Sequence, residues 1–342
     1  MAGTGKAHLR DTDDVLLRVE DLVVEFPAGR GQKVHAVSGI SFDVRKGETL
    51  GVVGESGCGK STTGRAIMQL PQPTAGSVEL DGVDLTQLSS TALRRTRPEL
   101  QMIFQDPISS LNPRRRVKDI VARGLSIWGA DDRVKEERVN EVLDAVGLDP
   151  VSVGGRRPHE FSGGQCQRIC IARTLVLEPK VIICDEPVSS LDVSVQAQIL
   201  NLLEEMKERY GLTLVFIAHD LAVVKNVSDR VVVMYLGKIC EVGSPEVIYN
   251  NPAHHYTKVL LASIPKPEPR RGLPKEEGSS LAGELPSPMA PPSGCRFRTR
   301  CPAAQQKCAD EEPQLRPVDD DHFVACHFPL EPTAVNGAGP AT

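Results

Sequence analysis

Gly54-Glu55-Ser56-Gly57-Cys58-Gly59-Lys60-Ser61-Thr62 follows the apolar run Leu50-Gly51-Val52-Val53 and fits the pattern G-x-x-x-x-G-K-S/T, a loop between a strand and a helix. Its three glycines let the backbone wrap closely, so that successive N–H groups and the start of the helix face phosphate oxygens with no Cβ in the way. Lys60 would carry a charge to the β- and γ-phosphates, Ser61 a hydroxyl to Mg²⁺, and Thr62 a further phosphate contact. An alkylated Cys58 would collide with a nucleotide held there, so thiol reagents are expected to inhibit. A glycine-rich turn with an accidental lysine is the competing reading, and the rest of the chain decides between them.

The 342 residues suffice for more than one domain, and 40% apolar with 25% charged residues excludes disorder throughout. A net charge of −5 offers no basic face, so no nucleic-acid partner is expected. The polar start, Met1 to Asp14, holds no apolar core of signal-peptide length, and no stretch approaches the roughly 18 apolar residues of a membrane span. The chain is therefore expected in the cytoplasm, with any membrane role exercised through partners. Of nine cysteines, Cys58, Cys166, Cys170, Cys184 and Cys240 are scattered and expected as free thiols, while Cys295, Cys301, Cys308 and Cys326 cluster late.

Working outward from the loop, residues 1–14 read as a flexible tail. Alternation in Leu16 to Glu20, Leu22 to Phe26 and Ala36 to Val44 predicts an antiparallel sheet that feeds the loop strand. Thr62 to Leu70 should be the loop's helix, ended by Pro71 and Pro73. Leu100 to Ile103 reads as a buried strand bringing Gln105 to a carboxyl end, where open α/β sheets place ligands, although a mere loop cap fits Gln105 equally well. Residues 106–165 read as a mainly helical insertion, with Val134, Val139, Val142, Leu143 and Val146 at helical spacing and Gly147 as a stop.

Phe161-Ser162-Gly163-Gly164-Gln165 opens the next helix, where Ser162 is a good N-cap and two glycines leave N–H groups bare, making a second anion-binding helix start. The run Val181 to Cys184 ends in Asp185-Glu186, as a buried parallel strand does when it delivers carboxylates to a nucleotide site. Asp185 would hold the Mg²⁺ shell and Glu186 would polarise water against the γ-phosphate; two acids capping a helix are the alternative. Ser190-Leu191-Asp192 precedes the helix Val193 to Tyr210, Thr213 to Ala218 is a strand ending at His219, and Val231 to Tyr235 is the last clear strand of the body.

In this order the motifs resemble the ATP-binding cassette of ABC transporters over roughly residues 15–265. The resemblance implies an α/β, P-loop (RecA-like) cassette with an N-terminal antiparallel β subdomain and a helical insertion, acting as an ATPase with ATP and Mg²⁺. It makes Gly54–Thr62 the Walker A loop, Gln105 the Q-loop residue beside the Mg²⁺ and the γ-phosphate, and Ser162, Gly163, Gly164 and Gln165 the signature. Asp185 and Glu186 become the Walker B pair, Asp192 belongs to the D-loop, His219 is the switch histidine, and Phe26 is the candidate for stacking on adenine. In that family two cassettes pair head to tail, each ATP lying between one Walker A loop and the other chain's signature.

Phe104-Gln105-Asp106-Pro107-Ile108-Ser109-Ser110-Leu111-Asn112-Pro113-Arg114, His159 to Ile169 and the late Asn251-Pro252-Ala253-His254-His255-Tyr256-Thr257 resemble the ATPase subunits of oligopeptide and dipeptide importers. His255 stands where a proline is usual, and Ala218 where serine commonly precedes the switch histidine. This narrower likeness implies a peripheral protein at the cytoplasmic face of the cell membrane. Its expected partners are a second cassette subunit, as homo- or heterodimer, two membrane permeases and an extracellular solute-binding protein. A soluble cassette ATPase acting on nucleic acid or ribosomes, or an importer of another solute such as a nickel chelate, is the alternative.

Residues 266–282 read as a linker, 283–330 as a small cysteine-containing extension and 331–342 as a disordered tail. The spacing of Cys295, Cys301, Cys308 and Cys326 is wider than the tight pairs of structural zinc sites. An iron–sulfur cluster of the 4Fe-4S type, which some peptide-importer relatives carry in this tail, is preferred over zinc, and four unliganded thiols remain open.

Overall fold

The uninterrupted apolar runs form the centre of the molecule. A computed structural model describes residues 5–29, 31–264 and 285–331. In chain order its strands are β1 (Val15–Pro27), β2 (Lys33–Arg45), β3 (Thr49–Val53), β4 (Ala75–Leu80), β5 (Val83–Asp84), β6 (Leu100–Ile103), β7 (Val181–Asp185), β8 (Thr213–Ala218), β9 (Arg230–Tyr235), β10 (Lys238–Gly243), β11 (Arg316–Asp319) and β12 (His322–Val324). They build two sheets, an antiparallel one in the order β2-β1-β4-β5 and a larger one in the order β11-β12-β10-β9-β3-β8-β7-β6. From β9 to β6 the large sheet is parallel, and β10, β11 and β12 add antiparallel neighbours at one edge.

Because side chains alternate across a strand, consecutive residues of each central strand enter different cores. Val53, Ile182, Leu214 and Val231 join a core shared with the helices, whereas Val52, Ile183, Val215 and Val232 join one shared with the antiparallel sheet. Both faces being covered, β3, β7 and β8 carry no polar alternation and are buried along their length, as parallel strands must be.

Between β6 and the helix Gly163–Leu175 lie the helices Pro107–Ser110, Val117–Val121, Arg123–Ile127, Asp132–Ala145 and Pro150–Val153. Asp106, Asp131 and Asp149 cap three of them by accepting from the backbone N–H groups of Ile108, Val134 and Val151. Val139, Val142 and Leu143 turn inward onto Val117, Ile120 and Ile169, which leaves the charged face of the long helix to water. The only tryptophan of the sequence, Trp128, is 40% exposed and ends the helix Arg123–Ile127, with the Arg94 guanidinium 6.0 Å from its ring centre.

Two expectations change. Residues 5–14 are not a loose tail but run along the antiparallel sheet: His8 is buried with Nε2 at 2.6 Å from the Ser41 carbonyl, and Arg10 forks onto the buried Asp43 while reaching Glu48. These partners sit far along the sequence, so the polar composition alone read as tail. Nor is Tyr235 the end of the sheet. A turn at Leu236-Gly237 leads into β10, and β12 of the late segment pairs with it through Glu241 and Val324, so the C-terminal extension shares the main sheet. The linker reading of 266–282 and nearly all of the 331–342 tail lie outside the described residues.

Candidate active site

The loop after β3 can be built only with glycine at two points. A Cβ on Gly54, at φ 155°, would stand 2.1 Å from the Met234 carbonyl oxygen, and one on Gly59, at φ 103°, would stand 2.2 Å from that of Ala36. The helix Lys60–Ile67 starts at the end of this loop. Lys60 is buried, and its Nζ donates to the carbonyl oxygens of Gly54 at 2.8 Å and Glu55 at 3.0 Å, so the ammonium already spans the mouth of the loop.

Beside it, the Ser61 hydroxyl donates to Asp185 Oδ1 at 2.6 Å. Asp185 ends β7 fully buried, and its Oδ2 has no hydrogen-bond partner among the described residues, with the Arg65 guanidinium 3.8 Å away. Burial pushes this carboxyl above its usual range, the bond from Ser61 and the charge of Arg65 acting the other way. A buried carboxylate oxygen left without a partner next to a serine hydroxyl suits a hard divalent cation such as Mg²⁺.

The strand order then sets the facing wall. Parallel β6, β7 and β8 lie side by side, and the residues beyond their carboxyl ends converge. Glu186 takes a left-handed turn, φ 48°, with its N–H donated to the Ile217 carbonyl. Its Oε2 accepts from Gln105 Nε2 at 2.9 Å and lies 3.3 Å from His219 Nδ1. Gln105 is thus more than a loop cap. Lys60, Ser61, Thr62, Gln105, Glu186 and His219 line one cleft of about 880 Å³. Phe26, 37% exposed, lies on its wall together with Pro288, whose carbonyl accepts from the His35 N–H at 2.9 Å.

Other expected residues fall elsewhere. Ser162 caps the helix Gly163–Leu175, accepting from the Gln165 N–H while Gln165 Oε1 accepts from the Ser162 N–H. Ser162, Gly163, Gly164 and Gln165 do not line the cleft, and neither does Asp192, which begins the helix Val193–Tyr210. Cys58 points inward, 1% exposed, its Sγ 4.0 Å from Lys60 Nζ, and burial pushes its thiol up. This corrects the expectation of a readily alkylated loop cysteine, since thiolate and access are both withheld.

The late cysteines converge without forming the expected metal site. Cys295, Cys301, Cys308 and Cys326 all border one enclosed space of only about 10 Å³. Among the described residues no three or more His, Cys, Asp or Glu side chains are arranged to hold a metal ion. Burial raises Cys295 and Cys301 and pushes Cys326 up to about 11. The segment is also less dependent on a metal than its polar sequence suggested, because Phe297, Leu315 and Val324 are buried and Phe297 packs on Tyr235 and Tyr256. The expected iron–sulfur cluster, like the zinc alternative, thus finds no support among the described residues.

Four residues that touch the site escaped sequence reasoning. The buried Tyr256 hydroxyl accepts from the Glu55 N–H at 2.8 Å, Arg300 forks onto the Glu55 carboxylate, Tyr235 lies against both, and Pro288 lines the cleft. Tyr256 was visible only as part of the late motif, and nothing in the spacing pointed to Arg300.

Residues 37–189 match the model of the ABC transporter family, and residues 240–308 that of the oligopeptide/dipeptide transporter C-terminal region. The putative oligopeptide transport ATP-binding protein YkfD of Bacillus subtilis is 52% identical over 92% of this chain and 95% of its own. The oligopeptide transport ATP-binding protein AppF of the same organism is 49% identical over 92% of this chain and 98% of its own. Among solved structures, an ATP-binding cassette captured as a dimer in a post-hydrolysis state with ADP and Pi superposes with a TM-score of 0.61 at 26% identity, covering 67% of this chain and 99% of that one.

Proposed function

Since this chain belongs to the ABC transporter family, in its oligopeptide and dipeptide branch, we propose that it hydrolyses ATP to energise peptide import through membrane permeases. The reading rests above all on Glu186, a carboxylate braced by Gln105 and His219 across one cleft from Lys60 and Ser61. In it, the Walker A backbone and Lys60 take the phosphates, Phe26 takes the adenine, and Ser61, Asp185 and Gln105 hold Mg²⁺, which when bound neutralises charge on the β- and γ-phosphates. Glu186 accepts a proton from the attacking water, and His219 and Gln105 orient it.

Ser162 to Gln165 stand outside the chain's own cleft, which supports their serving the nucleotide of a second cassette, as homo- or heterodimer. No helix of the described residues is long and apolar enough to cross a membrane, in keeping with a peripheral subunit at the cytoplasmic face of two permeases fed by a solute-binding protein. Glu186→Gln keeps shape and hydrogen bonding but removes the base, so ATP should still bind while hydrolysis falls by about 10²–10⁴-fold. Cells producing only this variant should fail to accumulate a labelled tripeptide. Undiminished hydrolysis, or normal uptake in cells lacking the chain, would overturn the reading.

A further inference from the structure

Glu55 is held at each of its polar groups. Its N–H is taken by Tyr256, its carbonyl is the perch of Lys60 Nζ, and its carboxylate is gripped by Arg300, Nη1 to Oε2 at 2.8 Å and Nη2 to Oε1 at 3.1 Å. Arg300 comes from the late segment, 245 positions away, and its side chain is 5% exposed against 19% for Glu55. Its Nη1 also reaches the Tyr235 hydroxyl at 3.3 Å, and its guanidinium carbon lies 5.8 Å from that ring's centre. A two-pronged, largely buried pair of this kind fixes orientation as well as charge, unlike an exposed ion pair.

We propose that Arg300 is a positioning residue for nucleotide binding: it turns the Glu55 carboxylate away from the phosphate site and so leaves Lys60 free for the γ-phosphate. The carboxylate is the only anionic side chain in the loop and belongs to the residue whose carbonyl holds Lys60 Nζ at 3.0 Å, so without Arg300 it would compete with phosphate for Lys60 and repel the triphosphate. The inference rests on the cleft being a nucleotide site. It also gives the cysteine-bearing segment a direct mechanical link to ATP affinity, since Cys301 follows Arg300 in the chain.

The assembled transporter, with its partner subunits, tests this by steady-state ATPase kinetics, paired with equilibrium dialysis of labelled ATP on the full chain. Arg300→Gln should raise KM for MgATP about tenfold with kcat nearly unchanged, because Glu186, Gln105 and His219, which act on the attacking water, are untouched. Adding Glu55→Gln to that variant removes the misplaced charge and should restore most of the affinity. Arg300→Lys, which keeps charge but not the fork, should fall between, and it serves as the readout if Arg300→Gln does not accumulate as folded protein. An unchanged KM, or a loss that Glu55→Gln does not repair, overturns the role of Arg300. A wild-type chain that neither binds nor hydrolyses ATP instead overturns the nucleotide-site reading itself.

Discussion

Removing one oxygen from Tyr256 isolates what the wall behind the loop contributes. Tyr256→Phe preserves the ring that packs 4.7 Å from Tyr235 and 5.4 Å from Phe297, centre to centre, so little packing is lost. What disappears is the acceptor of the Glu55 N–H, 2.8 Å away. A buried donor left without a partner costs about 1–3 kcal/mol. At about 1.4 °C per kcal/mol for a chain of 342 residues, melting should fall by roughly 1–4 °C. Tyr210→Phe is the matched control, because that buried hydroxyl has no partner among the described residues, while its ring keeps the Arg138 guanidinium 5.7 Å from its centre. Losing it should change stability by less than about 0.5 kcal/mol or improve it slightly. Calorimetry or urea melts of the three proteins, with KM for MgATP alongside, separate the cases. Tyr256 should lose stability and affinity together, and equal stabilities for the two variants would show that the hydroxyl does not support the loop.

Further outcomes follow from the same packing. Burial lowers His254 from 6.5 to about 4, and its Nδ1 must stay unprotonated to accept from the Tyr256 N–H. The unfolded chain therefore takes up the proton first: stability is full above about pH 6.5 and falls by up to about 3 kcal/mol as pH drops toward 4. His254→Asn, which keeps a capping acceptor beside Glu241, His255 and His322, should flatten that acid limb in melts taken across pH. Gly51→Ala places a Cβ 2.3 Å from Val224 Cγ1 and 2.4 Å from Ser228 Oγ, and should cost about 1–3 kcal/mol by overpacking β3 against the helix Leu221–Val227; an unchanged urea midpoint would contradict the contact. Iodoacetamide should label Cys58 slowly in the native protein and quickly in urea, as read by peptide mass spectrometry, and rapid native labelling would place the thiol in solvent instead.

The parts of the site legible in the sequence were those whose chemistry is local. Glycines at 54 and 59, a lysine after them, and carboxylates closing an apolar run each announce a backbone shape or a strand end without reference to any distant residue. The Ser162 N-cap was equally plain, since the Gln165 N–H it accepts from lies within one turn. The contacts that remained hidden join remote segments: Arg10 with Asp43, Arg300 with Glu55, β12 with β10. Strands as short as His322–Val324 leave no periodicity to read, and the inward turn of Cys58 depends on dihedral angles that the loop's composition permits but does not dictate. The cysteine cluster misled for a related reason. The clustering of these residues and the family resemblance suggested ligands, whereas the buried Phe297, Leu315 and Val324 give the segment a core of its own.

Trp128 has a practical meaning. As the sole indole of the chain, it makes the protein's intrinsic emission the optical signal of one place, the exposed end of the helix Arg123–Ile127. The cation near its ring is Arg94, from the helix Ser90–Thr96, so the chromophore senses the field of a segment that precedes β6 in the chain. Any displacement of the helical region relative to that segment changes the field at the ring and shifts the emission colour. The chain thus carries an unlabelled spectroscopic gauge of the spacing between these two helices.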